Sequence, residues 1–309
     1  MKKWLVIIGV LIIAVIGAAY FFIPATENFT YASSVKCPQE AATRFLINKN
    51  KWQQWWPGQK KEDHLYTYKN YEYRVNKIML NAVDMTVSDS KDSVRGLLRI
   101  IGDTGAVIKL QWNSAFEFST NPVTRLSQYF QSKNIKTNIA SLVEDSKRFF
   151  EKQENLYGMK IQVETVKDPS LISYSRLLNH YPATEEIYDM IGMVKKYIQK
   201  KGGKENNSPM MHVQTISPTE FGIMVAIPTQ GDLPSEGEFR AKKMVLGNIL
   251  TGEVKGGIYT VTKAEQELKN FVTDFRRMSP AIPFQSLITN RMQETDTTKW
   301  VTRLYYPVF

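Results

Sequence analysis

The hydrophobic pattern begins with a long apolar run at the N-terminus. From Trp4 to Ile23 no residue is charged, and none is Asn, Gln, Ser or Thr. About 20 residues at about 1.5 Å per residue reach about 30 Å, which matches the hydrocarbon core of a bilayer. The pattern predicts a transmembrane anchor over residues 1–24.

The flanks of this run predict its orientation. Lys2 and Lys3 precede it, and the positive-inside preference would keep them in the cytoplasm. We therefore expect a single-pass protein of the inner membrane, with its other domains outside the cytoplasm. A cleaved signal peptide is the alternative, because the basic start is followed by the small residues Gly17-Ala18-Ala19.

After the anchor the pattern changes to the period of strands and then to that of a helix. Segments of strand character, joined by turn residues, occupy residues 29–35, 71–77, 79–87, 93–101 and 106–118. From Ile135 to Phe150 apolar residues recur with helical spacing, and Gly158 follows as a helix stop. Residues 25–157 are thus predicted to form one α+β domain.

The order strand, helix, strand, strand then occurs twice. The first copy comprises residues 171–178, 184–200, 210–216 and 221–227, and the second comprises 242–251, 262–277, 284–290 and 301–306. Tyr181 to Pro228 and Tyr259 to Pro307 enclose the same order at nearly the same separation. Residues 158–309 are therefore predicted to be a duplicated domain, in which each half completes the core of the other.

Composition and motif content argue against several classes of function. The net charge is +10, but the lysines are dispersed and no nucleic-acid-binding motif accompanies them, so no nucleic-acid partner is predicted. The single cysteine, Cys37, excludes an internal disulfide and a cysteine-based zinc cluster. His64, His180 and His212 are isolated, and no nucleophile elbow occurs. The sequence predicts no metal, no cofactor and no catalytic residue.

Residues 27–157 resemble the SRPBCC (START/polyketide cyclase-like) superfamily. The resemblance lies in Pro38-Gln39-Glu40-Ala41-Ala42 after the first strand, in Trp52-x-x-Trp55-Trp56-Pro57, and in the strands and long helix that follow. It implies a helix-grip fold, a curved antiparallel sheet wrapped on a helix around an apolar cavity. Four aromatic residues are candidates for lining that cavity: Trp52, Trp56, Trp112 and Phe116.

Residues 159–309 resemble the GyrI-like small-molecule-binding domain, the effector-binding domain of AraC-type regulators. The matching features are Gly257-Ile258-Tyr259 in place of Gly-Pro-Tyr, the helix after it, and the terminal residues 300–308. Gln285 and Leu287 stand where members that bind cations or hydrolyse electrophiles usually carry glutamate and tyrosine. A neutral amide is neither a general base nor a counterion, so hydrolysis and a preference for cations are both put in doubt.

These observations predict a membrane-anchored, non-catalytic protein that binds a small hydrophobic or aromatic ligand. In the second domain, the residues that could flank a cleft between the repeats are Tyr181, Met211, Tyr259, Gln285, Trp300 and Tyr305. A hydrolase or cyclase is the alternative, and it requires a titratable residue in a pocket, such as Glu185, Glu236 or Asp84. A scaffold with filled cores is a third possibility.

Overall fold

The protein divides into two compact units between Leu156 and Tyr157. The computed structural model describes residues 2–90, 92–103, 105–166, 170–279 and 281–308. It contains helices and antiparallel strands in both units, so the fold belongs to the α+β class.

Unit 1 holds a seven-stranded antiparallel sheet and a long helix. Its helices are α1 (Lys2–Phe22), α2 (Gln39–Leu46), α3 (Trp52–Trp55) and α4 (Pro122–Phe150), with α5 (Gln153–Tyr157) at the boundary. Its strands are β1 (Thr26–Val35), β2 (Gln59–Glu62), β3 (Leu65–Tyr68), β4 (Tyr71–Ile78), β5 (Ala82–Ser88), β6 (Ser93–Gly102) and β7 (Ile108–Glu117). The strand order is β1-β7-β6-β5-β4-β3-β2.

The predicted membrane-spanning helix is wrong. Helix α1 covers the apolar run, but no helix among the described residues is long and apolar enough to cross a membrane. Near its C-terminal end, α1 contacts α4: the Arg125 guanidinium lies 4.9 Å from the centroid of the Tyr20 ring, and Nη1 donates to the Ile23 carbonyl at 3.3 Å. Apolar composition alone does not separate a helix end that packs on protein from one that faces lipid.

The sheet and α4 of unit 1 enclose a core. Buried residues recur at every second position in strands such as β6 and at helical spacing in α4. Alternate residues of β6, among them Val94, Leu98 and Ile100, are buried. The buried stripe of α4 includes Ile135 and Ile139. Each such side chain contributes about 1.5–3 kcal/mol when fully removed from water, so this stripe holds the helix on the sheet.

Unit 2 holds an eight-stranded antiparallel sheet and two helices, α6 (Thr184–Lys200) and α7 (Ile258–Asp274). Its strands are β8 (Ile161–Thr165), β9 (Ser170–Leu178), β10 (Met210–Ser217), β11 (Glu220–Pro228), β12 (Arg240–Lys243), β13 (Asn248–Lys255), β14 (Phe284–Leu287) and β15 (Val301–Val308). The strand order is β12-β9-β11-β10-β14-β15-β13-β8.

This order contains the predicted duplication. The copy β9-α6-β10-β11 meets the copy β13-α7-β14-β15 where β10 pairs with β14, and the two copies run outward from that pair in equivalent order. The single strand predicted over residues 242–251 is two strands, β12 and β13. The chain is interrupted by Gly247, whose φ of 141° favours glycine and does not continue a strand.

A prediction about local stability follows from the start of α4. Asn121 Oδ1 accepts hydrogen bonds from the backbone N–H groups of Val123 and Thr124, and Pro122 opens the helix. We expect Asn121→Ala to lower the free energy of unfolding by about 1 kcal/mol, because two N–H groups lose their acceptor. Urea denaturation followed by circular dichroism measures the change. Asn121→Ser keeps an acceptor and should cost less; an equal loss in both variants would contradict the capping role.

Candidate functional site

The candidate site lies on the face of the unit 2 sheet that α6 and α7 cover. Alternate residues of β14 point to opposite faces, and Leu287 packs with residues of α6. Gln285 shares that face, and its Nε2 donates to Oε1 of Glu265 on α7 at 2.9 Å. We call the group formed by Tyr181, Glu265, Gln285, Arg291 and Trp300 the helix-face cleft.

Glu265 is an exposed residue whose carboxyl nevertheless loses hydration to the protein around it. The residue is exposed, whereas its hydrogen-bonding partner Gln285 is only 5% exposed. Burial among the surrounding protein raises the pKa of the Glu265 carboxyl above its usual range, and the amide of Gln285 opposes that rise. The exposed carboxyl of Glu265 thus lies close enough to the surrounding protein for its ionised form to be disfavoured.

Tyr181 is also partly exposed, and the protein around it likewise disfavours its ionised form. Its side chain precedes α6, is 40% exposed, and makes an edge contact with the Phe221 ring at 5.8 Å between centroids. Burial and the Glu265 carboxylate raise the pKa of the phenol, while the Arg291 guanidinium lowers it. The Tyr181 hydroxyl therefore experiences the fields of both charged groups and stays protonated at neutral pH.

Arg291 is a buried cation held by neutral groups. It is 8% exposed; its Nη2 donates to Thr302 Oγ1 at 2.8 Å, and its guanidinium carbon lies 4.8 Å from the centroid of the Trp300 ring. Tyr188 of α6 fixes the backbone, because its hydroxyl accepts from the Arg291 N–H at 2.8 Å. Burial lowers the pKa of the guanidinium.

The Nε of Arg291 lacks a hydrogen-bond acceptor. Among the described residues, this buried nitrogen has no partner, and no carboxylate lies within 4.0 Å of the guanidinium. Buried donors are nearly always satisfied in native proteins, and buried cations are nearly always paired.

The structure brings together three of the six residues predicted for this domain. Tyr181, Gln285 and Trp300 belong to the helix-face cleft. Met211 lies in the apolar core beneath α6 and is 3% exposed. Tyr305 stacks on Phe284 on the opposite face of the sheet, at 4.8 Å between centroids, and Tyr259 is 81% exposed at the start of α7.

The aromatic residues predicted to line a cavity in unit 1 pack mainly on one another. Trp52 stacks on Trp56 at 6.1 Å between centroids, and Trp112 makes an edge contact with Tyr73 at 6.2 Å. All three tryptophans are buried. Phe116 is also buried, and it lines a cavity of about 410 Å³ near the N-terminal part of α4.

The carboxyl whose pKa is raised is not one of the three that the enzyme alternative predicts. Glu236 is an exposed partner of Lys201, which lowers the pKa of its carboxyl. Asp84 accepts hydrogen bonds from Arg95, which likewise lowers its pKa. Glu185 lies in the first turn of α6. The raised carboxyl pKa belongs to Glu265 instead.

Sequence reasoning missed Glu265 and Arg291 for different reasons. Glu265 lies at helical spacing between the buried residues Val261 and Leu268, so a charged residue within the apolar stripe of α7 could have marked it. Arg291 lies between β14 and β15, where no periodic pattern indicates which side chains turn inward.

Comparisons with known proteins give structural similarity only. No family model matches the chain, and no curated protein matches it. Among solved structures, the chain is similar to the EcmrR C-terminal domain, with 13% identity and a TM-score of 0.42 over 49% of this chain and 98% of that chain. A hydrolase from Listeria innocua matches with 9% identity and a TM-score of 0.38, over 48% of this chain and 92% of the other.

A third similar structure is that of SAV2435 bound to tetraphenylphosphonium, with 11% identity and a TM-score of 0.33 over 49% of this chain and 94% of that chain. These neighbours lend no support to the SRPBCC resemblance, which stays a prediction. With TM-scores below 0.5 they carry no argument about function. The functional argument rests on the residues of the chain itself.

The raised pKa of Glu265 predicts the pH dependence of a variant. Because the folded state disfavours the ionised carboxyl, the wild-type protein loses stability as pH rises from the usual glutamate range through the raised pKa. Glu265→Gln removes that loss and keeps an acceptor for Gln285. We expect the melting temperature of the variant, relative to wild type, to increase between pH 4 and pH 7.

Glu236→Gln is the matched control with the opposite sign. Lys201 lowers the pKa of Glu236, so this carboxylate stabilises the fold above the usual glutamate range and that stability is lost as pH falls. Its variant should therefore lose melting temperature, relative to wild type, between pH 4 and pH 7. The same trend in both variants would contradict the placement of Glu265.

Proposed function

We propose that unit 2 binds a small molecule in the helix-face cleft. The observation that carries this proposal is that two polar groups on one face of the sheet, Arg291 and Glu265, have lost hydration without gaining a full set of partners. Arg291 presents a buried donor with no acceptor among the described residues, and Glu265 presents a poorly hydrated carboxyl held by Gln285. A ligand that contacts both groups would offset their loss of hydration.

The lining of the cleft indicates the chemistry of the ligand. Tyr181 and Trp300 offer aromatic faces, which suit a flat apolar body. The Arg291 guanidinium suits a carboxylate or another anion, because its donors form charge-assisted hydrogen bonds. We infer an aromatic ligand with an acidic group, a narrower class than the hydrophobic or aromatic ligand that the sequence predicts.

Hydrolysis is the second candidate, and Glu265 is the observation that favours it. A carboxyl whose pKa is raised towards neutrality is suited to general-base catalysis. Gln285 does not provide a second carboxyl beside it, so binding is the better-supported function. Turnover of an aryl ester that is lost in Glu265→Gln would favour the enzyme.

A matched pair of probes tests the binding proposal. Indole-3-acetate carries an aromatic body and a carboxylate, and indole-3-acetamide is its neutral counterpart. We expect the full chain to bind the acetate about 10-fold more tightly, the size of a charge-assisted hydrogen bond. Isothermal titration calorimetry measures both affinities.

Variants locate the binding. Arg291→Gln should remove the preference for the anion, and Gln285→Ala should weaken binding of both probes without disturbing the guanidinium. Tyr259→Ala, at the exposed start of α7, should leave both affinities unchanged and serves as the control. Equal affinities for acetate and amide in the wild-type protein would overturn the proposed role of Arg291.

A further inference from the structure

A concave surface lies on the face of the unit 2 sheet opposite the helices. Met210 and Phe284 point away from α6 and α7 and line a cavity of about 170 Å³ together with Met224 and Met244. A more polar cavity of about 560 Å³ adjoins it and shares Met210, Met244 and Phe284. We call the space bordered by Met210, Met224, Met244 and Phe284 the methionine hollow.

The connection between β12 and β13 explains why this face is hollow. Strand β12 is the first in the sheet order and β13 the seventh, and a flat sheet would separate them by about 29 Å at about 4.8 Å per strand. Residues 244–247 link Lys243 to Asn248, a path that reaches about 18 Å at about 3.6 Å per residue. The sheet must therefore curl around the face that this segment borders.

The lining of the hollow is apolar and adaptable. Met210, Met224 and Met244 contribute unbranched, polarizable side chains, which adjust to ligands of irregular shape. Phe284 stacks on Tyr305 and forms a flat wall. Val245 and Ile282 also line the space and are 46% and 50% exposed, so apolar surface stands open to water at the rim.

One cation at the rim lacks a carboxylate partner. Lys242 Nζ lies 3.1 Å from Met224 Sδ, and among the described residues no carboxylate lies within 4.0 Å of it. Its neighbour Lys243 is paired with Asp232 at 2.9 Å, and Glu164 of the adjoining cavity is paired with Arg303. His212 also lines the hollow, and burial lowers the pKa of its imidazole, which leaves it neutral at pH 7.

We propose that the methionine hollow binds a small amphipathic anion, with its apolar body against Met210, Met244 and Phe284 and its acidic group on Lys242. This site is separate from the helix-face cleft, because the alternation of β10 and β14 sends their residues to two opposite faces. The apolar rim supplies the affinity, and the ammonium group of Lys242 selects the charge.

Two fluorescent probes that differ by one sulfonate group test this proposal on the full chain. 8-Anilinonaphthalene-1-sulfonate carries an anionic group, and N-phenyl-1-naphthylamine has the same rings without it. We expect both to bind, and Lys242→Gln to weaken binding of the sulfonate about fivefold, the size of a partly exposed ion pair, with the neutral probe unchanged. Lys243→Gln is the matched control, since that lysine is already paired, and should change sulfonate binding by less than about twofold.

A second variant tests the cavity itself. Ala226 lines the hollow and is buried, so Ala226→Leu extends a side chain into the space and should weaken binding of both probes. Unchanged binding of both probes in Ala226→Leu, or unchanged sulfonate binding in Lys242→Gln, would overturn the proposal. Loss of sulfonate binding in Arg291→Gln but not in Lys242→Gln would also overturn it, and would assign the probe to the helix-face cleft.

Discussion

The organisation of unit 2 depends on the short antiparallel contact between β10 and β14. This contact joins the two halves of the sheet through two paired positions, Met210 with Ser286 and Met211 with Gln285. Because side chains alternate along a strand, each pair sends its members to one face. The contact that unites the repeats therefore also supplies residues to both faces of the sheet, Gln285 beside the helices and Met210 in the methionine hollow.

The two copies of the repeat have equivalent folds but unequal chemistry. Glu265, Gln285, Arg291 and Trp300 all belong to the second copy, and the first copy contributes Tyr181 and the supporting hydroxyl of Tyr188. The α6 copy buries a continuous apolar stripe, whereas on α7 the exposed Glu265 lies at helical spacing from the buried Val261 and Leu268. One half thus serves mainly as a packed support, and the other carries the polar groups that a ligand would contact.

The sequence predicts much of the fold because periodicity depends on local geometry. The helical spacing of α4, the alternation of β6 and the repeated order of elements all follow from side-chain direction. It does not predict what packs against α1, since an apolar run does not reveal its neighbours. For the site, Tyr181, Gln285 and Trp300 lie in the helix-face cleft, and their role in binding stays a prediction. Tyr305 is not, because the register that turns it to the opposite face is set by pairing with β14 and β13.

The connection over residues 244–247 has a consequence for selectivity. Pockets usually distinguish ligands by the shape of their side chains, which can rotate to admit a larger molecule. In the methionine hollow, the distance between β12 and β13 is limited instead by the contour length of residues 244–247, because a backbone segment cannot lengthen. Residues 244–247 therefore set an upper limit on the separation of β12 and β13 across the hollow, whereas the methionine side chains that line it can change rotamer.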